Sequence, residues 1–161
     1  MELNIKPGEF IISKTDLKGN ITYANQTFTE ISGYAESETL NAPHRILRHE
    51  DMPKLIFKML WERIQNNEGI YAYVKNKTKN NDHYWVFAYV TPSFDLLGNR
   101  IGYYSVRRAP NPNALKVIEP LYRDLLRAER QSSVSASEKH LETLLQQQGM
   151  TYDQFVLGLQ K

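Results

Sequence analysis

Hydrophobic positions in this chain change period twice, at Ile70 and again after Pro110. Before Ile70 the pattern is mixed. Glu9 to Lys14 reads as a short strand built on Phe10, Ile11 and Ile12. Asp16 to Asn20 is a turn with Gly19 free to take positive φ, and Ile21 to Ala24 is a second strand, so the opening predicts a hairpin. Phe28, Ile31 and Ser32 share one face of a short helix that Gly33 can stop. Ser37 to Leu40 could add one more turn, and Asn41 to Glu50 is a polar loop broken by Pro43. Asp51 as N-cap and Pro53 in the first turn predict a helix running to about Gln65. Its broad apolar face carries Phe57, Leu60, Trp61 and Ile64.

From Ile70 the period is 2. Strands are expected at Ile70 to Asn76, His83 to Pro92 and Arg100 to Arg107. In the long middle strand Trp85, Phe87 and Tyr89 alternate with Tyr84, Val86, Ala88 and Val90. The connections are short, which predicts an antiparallel meander. After Pro110 the chain turns helical. Leu115, Ile118, Tyr122 and Leu125 form a 3-4-3 seam that could fold back on the sheet or pair with another chain. Ser135 to Glu138 has a capping-box pattern before a helix that Gly149 can close. Thr151 to Gln154 repeats that pattern before a last short helix with Phe155, Val156 and Leu159. Strands and helices are segregated, which predicts an α+β domain with an antiparallel sheet.

The 161 residues suit one domain with a helical appendage. A hydrophobic share of 41% and 18 aromatic side chains supply a core and rule out wholesale disorder. A net charge of +2 argues against a dedicated nucleic-acid binder. With no cysteine there is no disulfide, zinc finger, iron–sulfur cluster, cysteine nucleophile or flavin–cysteinyl adduct. No apolar run is long enough to span a bilayer and the N-terminus lacks a secretory pattern, so the expectation is a cytoplasmic protein without direct membrane insertion.

Candidate chemistry is sparse. Nucleotide-binding glycine motifs, a nucleophile elbow and a His-Glu-x-x-His helix are all absent. His44 and His49 flank the polar loop and could be metal or axial haem ligands, or ordinary surface and capping residues. Arg48, His49, Glu50 and Asp51 form the densest polar cluster, beside a helix start where anions are favoured. Trp61 is either core or the flank of a planar ligand. The tyrosine-rich sheet could stack bases, but the accompanying basic residues are missing.

The tract from Thr15 to Asn25 with Phe28, Ser32, Gly33 and Tyr34 resembles the opening of a PAS domain. Pro43 and His44, the run Arg48 to Lys54, Phe57, Trp61, Val74 to Asn76 and Asp82 to Val86 narrow the resemblance. They are similar to the FAD-binding PAS domain of bacterial aerotaxis receptors (Aer type). Gly102, Tyr103, Ser105, Arg107 and the tract Glu119 to Tyr122 continue it, over roughly residues 9 to 126. The resemblance implies a PAS fold: a five-stranded antiparallel sheet with short helices on one face, and FAD held between the sheet and the Trp61 helix. It carries cofactor binding onto Asn25, Arg48, His49, Asp51, Trp61 and, less directly, Phe57. Glu50 stands where the family usually has proline, and Ile70 where some members have tryptophan.

The expected layout is an N-terminal cap segment at 1–8, a sensor domain at 9–109 and a helical extension at 110–161. Overall the chain resembles the small soluble PAS protein of bipartite energy-taxis systems (CetB-like). That implies a redox sensor, not an enzyme, with no metal site. Its partners would be a membrane-bound chemotaxis transducer on a separate chain and, as a homodimer, a second copy. The rival readings are a haem-binding gas sensor and a cofactor-free interaction module.

Overall fold

In the computed structural model, which describes residues 1–161, two Asp turns fix the sheet's hairpins. The Asp16 carboxylate accepts from the amides of Lys18 and Asn20, both at 2.9 Å, and pins β2 (Ile11–Thr15) to β3 (Ile21–Ala24). Asp95 does the same with Leu97 and Asn99 between β5 (His83–Phe94) and β6 (Arg100–Arg108). Such side-chain-to-backbone bonds stabilise a turn locally. With β4 (Ile70–Lys77), these strands pair antiparallel in the order β4-β5-β6-β2-β3. A sixth strand departs from the expected sheet: β1 (Glu2–Leu3) runs parallel to β5 at His83 and Tyr84. It lies beyond the point where β6 leaves β5, at the pair Phe87 and Arg108. The sheet is therefore mixed. The N-terminal segment supplies its parallel strand, and two residues are too few to leave a periodic signal.

On the sheet's inner face lie α1 (Gln26–Ser32), α2 (Glu36–Thr39), a 3-10 turn (His44–Leu47) and α3 (Lys54–Gln65). Gly33 closes α1 at φ 78° in the left-handed region, as the sequence predicted. Asp51 is not the cap of α3. Pro53 holds the N-cap position, and Asp51 turns away to pair with Lys75 at 2.8 Å.

The alternation along β5 sorts the core into two layers. Tyr84, Val86 and Ala88 pack inward with Ile11, Ile21, Phe28 and Leu47. Trp85 and Phe87 face outward with Tyr73 of β4. Cross-strand aromatic pairs line this outer face, with Tyr71 stacked on Tyr89 at 4.3 Å between centroids and Tyr73 beside Phe87 at 5.0 Å. Three further helices cover it: α4 (Pro112–Gln131), α5 (Val134–Gln148) and α6 (Tyr152–Gln160). The α4 seam folds back on its own sheet. Ile118, Tyr122 and Leu125 are buried, and the Tyr122 hydroxyl donates to the Tyr73 carbonyl at 2.7 Å. The hydroxyls of Tyr73 and Tyr152 likewise donate to the carbonyls of Val156 and Tyr71. Helix α5 starts two residues before its expected box: Ser133 is the N-cap, and Ser135 lies inside the helix. Thr151 with Gln154 forms the capping box expected for α6.

Candidate functional site

Between the inner sheet face and α3 is a cavity of about 280 Å³. Its floor is small by sequence: Ala88, Val90 and Val74 on β5 and β4, and Ser105 on β6. Phe57 and Trp61, four residues apart on α3, form the opposite wall. The Gly19 turn, Pro43, His44, Arg45 and Arg48 close one end. Two roomier grooves, about 660 and 490 Å³, run along α4 and are more open to solvent.

At the back of the cavity is a buried cation. Arg107 is only 3% exposed, yet no carboxylate lies within ion-pair distance of it. Its Nη2 donates to Ser13 Oγ at 2.7 Å and its Nη1 to His44 Nε2 at 2.9 Å, while its buried Nε has no partner. An unpartnered buried donor is uncommon and costly. Burial pushes the guanidinium pKa down to about 10. His44 is held neutral, since burial and then the Arg107 charge lower its pKa to about 3. A neutral ring whose Nε2 accepts from Arg107 carries its proton on Nδ1. Asn76, buried at the cavity wall, adds a carboxamide to this lining.

The structure brings Arg48, Phe57 and Trp61 together at the cavity. The Arg48 guanidinium lies 3.8 Å from the Phe57 ring centroid, a cation–π contact. Trp61 is 37% exposed at the mouth, edge-on to Tyr103 at 5.6 Å and close to Gly19. It is a rim residue, not core.

His49, Asp51 and Asn25 lie elsewhere. His49 Nδ1 accepts from the Asp51 amide at 3.0 Å, and its ring packs edge-on against His83. The Lys75 ammonium hydrogen-bonded to Asp51 holds that carboxyl below its ordinary range. Asn25 caps α1: its side-chain oxygen accepts from Phe28 N and Ile12 N, and its amide donates to Phe10 O. No hydrogen-bonding capacity of that oxygen is aimed at the cavity. Sequence reasoning weighed His44 as a metal or haem ligand or an ordinary surface residue, and it used Asn76, Ser105 and Arg107 for the resemblance without giving them a place in the site. The alternation of β6 did contain a signal, because Tyr103, Ser105 and Arg107 fall on one face. No group of three or more His, Asp or Glu residues could hold a metal ion.

Comparison with known proteins agrees with this architecture. Residues 21–107 match the family described as PAS fold. Over 115 residues the chain is 41% identical to the aerotaxis receptor of Escherichia coli (strain K12), covering 71% of this chain and 22% of the receptor. The chain belongs to the PAS fold family. The nitrogen fixation regulatory protein of Klebsiella pneumoniae is 27% identical over 65% of this PAS chain and 21% of its own length. The chain thus spans about a fifth of the length of these curated relatives. Among solved structures, a light-oxygen-voltage domain studied with a flavin analogue aligns at TM-score 0.60 and 24% identity, covering 68% of this chain and 82% of that one. A PAS domain from Colwellia psychrerythraea aligns at TM-score 0.57 and 18% identity, covering 62% and 85%. These two show the fold alone. No helix is long and apolar enough to cross a membrane.

Proposed function

We propose that this PAS domain binds a flavin, FAD as the resemblance implies, and reports redox state in taxis signalling. The observation that carries the reading is the unpartnered Arg107 guanidinium at the back of a cavity walled by Phe57 and Trp61. A buried cation without a carboxylate calls for an anionic or strongly accepting ligand group. A small-residue floor facing aromatic side chains suits a planar ring. The residues therefore fit a flavin. Flavin supplies electron transfer, and its ring gains negative charge on reduction.

The chain's own groups divide the work. Arg107, which lines the cavity and has no carboxylate partner, would bring its positive charge to the ring. His44, neutral and fixed by Arg107, contributes polarity without a second positive charge. Asn76 offers a carboxamide, Phe57 and Trp61 limit water, and Arg48 at the open end is placed for phosphate. Light-driven adduct chemistry is excluded, since the chain has no cysteine. Of the two candidate haem ligands, His44 already gives its Nε2 lone pair to Arg107 and His49 lies outside the cavity. A cytoplasmic location, a separate membrane-bound transducer and a homodimer follow from the resemblance. Sensing in place of turnover accords with the relatives, which are receptors and regulators by name.

Absorbance of the freshly purified chain tests the proposal, together with chromatography of the acid-released cofactor. We expect a yellow protein with close to one FAD per chain. A colourless protein that takes up neither FAD nor FMN overturns the reading, and a Soret band replaces it with haem.

A further inference from the structure

Helix α3, which supplies Phe57 and Trp61 to the cavity, lacks a cap of its own. Pro53 at its N-cap makes no side-chain cap bond, and its first turn has no acidic residue. The free amides are met from a distant part of the sequence. The Glu129 carboxylate, near the end of α4, accepts from Lys54 N at 2.7 Å and from Leu55 N at 3.1 Å. Ser137 of α5, fully buried, donates to the same carboxylate at 2.8 Å. One carboxylate thus fastens α3, α4 and α5 at a single point, where its negative charge meets the positive end of the α3 dipole.

Two ion pairs extend the fastening along α3. Lys58 Nζ lies 3.0 Å from Glu138 of α5, and Arg63 Nη1 lies 3.0 Å from Asp153 of α6. The helix that supplies Phe57 and Trp61 to the cavity is thus also tied by its charged side chains to the C-terminal helices.

We propose that Glu129 is a positioning residue for the cavity: it sets the placement of α3, and through it couples cavity occupancy to the docking of α5 and α6. The inference rests on the flavin reading above. Coupling is reciprocal. If the docked helices favour the α3 placement that grips the ring, a bound ring favours docked helices by the same factor. The three polar ties are also the parts of this interface that respond to small shifts, because hydrogen bonds weaken steeply with distance and angle. A change of charge in the cavity that displaces Phe57 or Trp61 therefore reaches Glu129 through one rigid helix.

The test uses the full chain with FAD as the probe. Glu129→Gln keeps the shape and removes the charge, Glu129→Asp keeps the charge, and Ser133→Ala removes the cap of α5 without touching α3. We expect Glu129→Gln to weaken FAD binding about fivefold or more. It should also abolish the FAD-dependent protection from hydrogen exchange that the unaltered chain shows in α5 and at the amides of Lys54 and Leu55. Glu129→Asp should recover part of both. Ser133→Ala should lower stability and leave FAD affinity unchanged. Equal affinity in Glu129→Gln and the unaltered chain, or an equal loss in Ser133→Ala, overturns the positioning role while leaving the flavin reading intact. An unaltered chain that takes up no flavin overturns both.

Discussion

Replacing Arg107 with methionine separates a ligand-binding cation from a structural one. The substitution keeps a long side chain and removes the charge. A pKa pushed from 12.5 down to about 10 by burial corresponds to roughly 3 kcal/mol against the charged form in the empty protein. The bonds to Ser13 and His44 return part of that, about 1.5 kcal/mol each for hydrogen bonds to a charged group. The two contributions nearly cancel, so flavin-free Arg107→Met should keep its stability to within about 1 kcal/mol. A structural buried charge pair broken by mutation instead costs about 3–5 kcal/mol. With ligand the outcome reverses. Loss of a charge-assisted bond should cost about 1.5–3 kcal/mol, a fall of roughly 10- to 100-fold in flavin affinity. Urea unfolding of flavin-stripped protein and fluorescence titration with FAD measure the two quantities. A stability loss of about 3 kcal/mol or more with unchanged affinity would refute the reasoning, because Arg107 would then be holding the fold and not a ligand.

Asn25→Ala should remove the bonds to Phe28, Ile12 and Phe10 and cost about 2 kcal/mol of stability, with flavin affinity unchanged in the folded protein; a marked loss of affinity at full stability would return Asn25 to the cofactor site. His44 gives a pH signature. Its folded pKa of about 3 lies below the ordinary 6.5, so its contribution is complete above the higher value and is lost as pH falls through the window between them. The slope has a ceiling of about 1.4 kcal/mol per pH unit, reduced here because part of the ring opens to the cavity. Urea midpoints measured between about pH 7 and pH 5 should fall less steeply in His44→Gln than in the unaltered chain; parallel curves would show that His44 does not resist protonation.

The fold was largely legible because it rests on local rules. The period of 2 from Ile70 assigned the strands, and the alternation along β5 even separated the cavity-facing set from the outward-facing set. Gly33 and Thr151 acted where their local sequence said they would. Distance in sequence defeated the rest. Asp51 looked like the α3 cap because it precedes Pro53, but Lys75 competes for it, and the carboxylate that meets the α3 amides comes from Glu129. Ser135 looked like the cap of α5 because Glu138 stands three residues on. Glu138 instead pairs with Lys58, and the cap is Ser133. For Arg107 the strand period indicated the face. Only the folded chain shows that no carboxylate meets it there.

The sequence left open whether the α4 seam pairs with another chain or folds back, and the sheet's outer face explains why it folds back. Tyr73, Trp85 and Phe87 are each less than a tenth exposed beneath the C-terminal helices. Large aromatic side chains bury about 150–250 Å² apiece, so a bare face would exceed the apolar patch a soluble monomer ordinarily shows. The contact is also directional. Three tyrosine hydroxyls cross it to backbone carbonyls, Tyr73 to Val156, Tyr122 to Tyr73 and Tyr152 to Tyr71. Lifting the helices would strand those donors as well as expose the rings. Any rearrangement that frees this face therefore needs another cover to replace the first. Smaller movements are easier at the polar ties along α3, where exposed ion pairs such as Lys58 with Glu138 can part at a cost of about 1 kcal/mol or less. The layer of aromatics fixes where the C-terminal helices sit, and the charges beside it leave them room to respond.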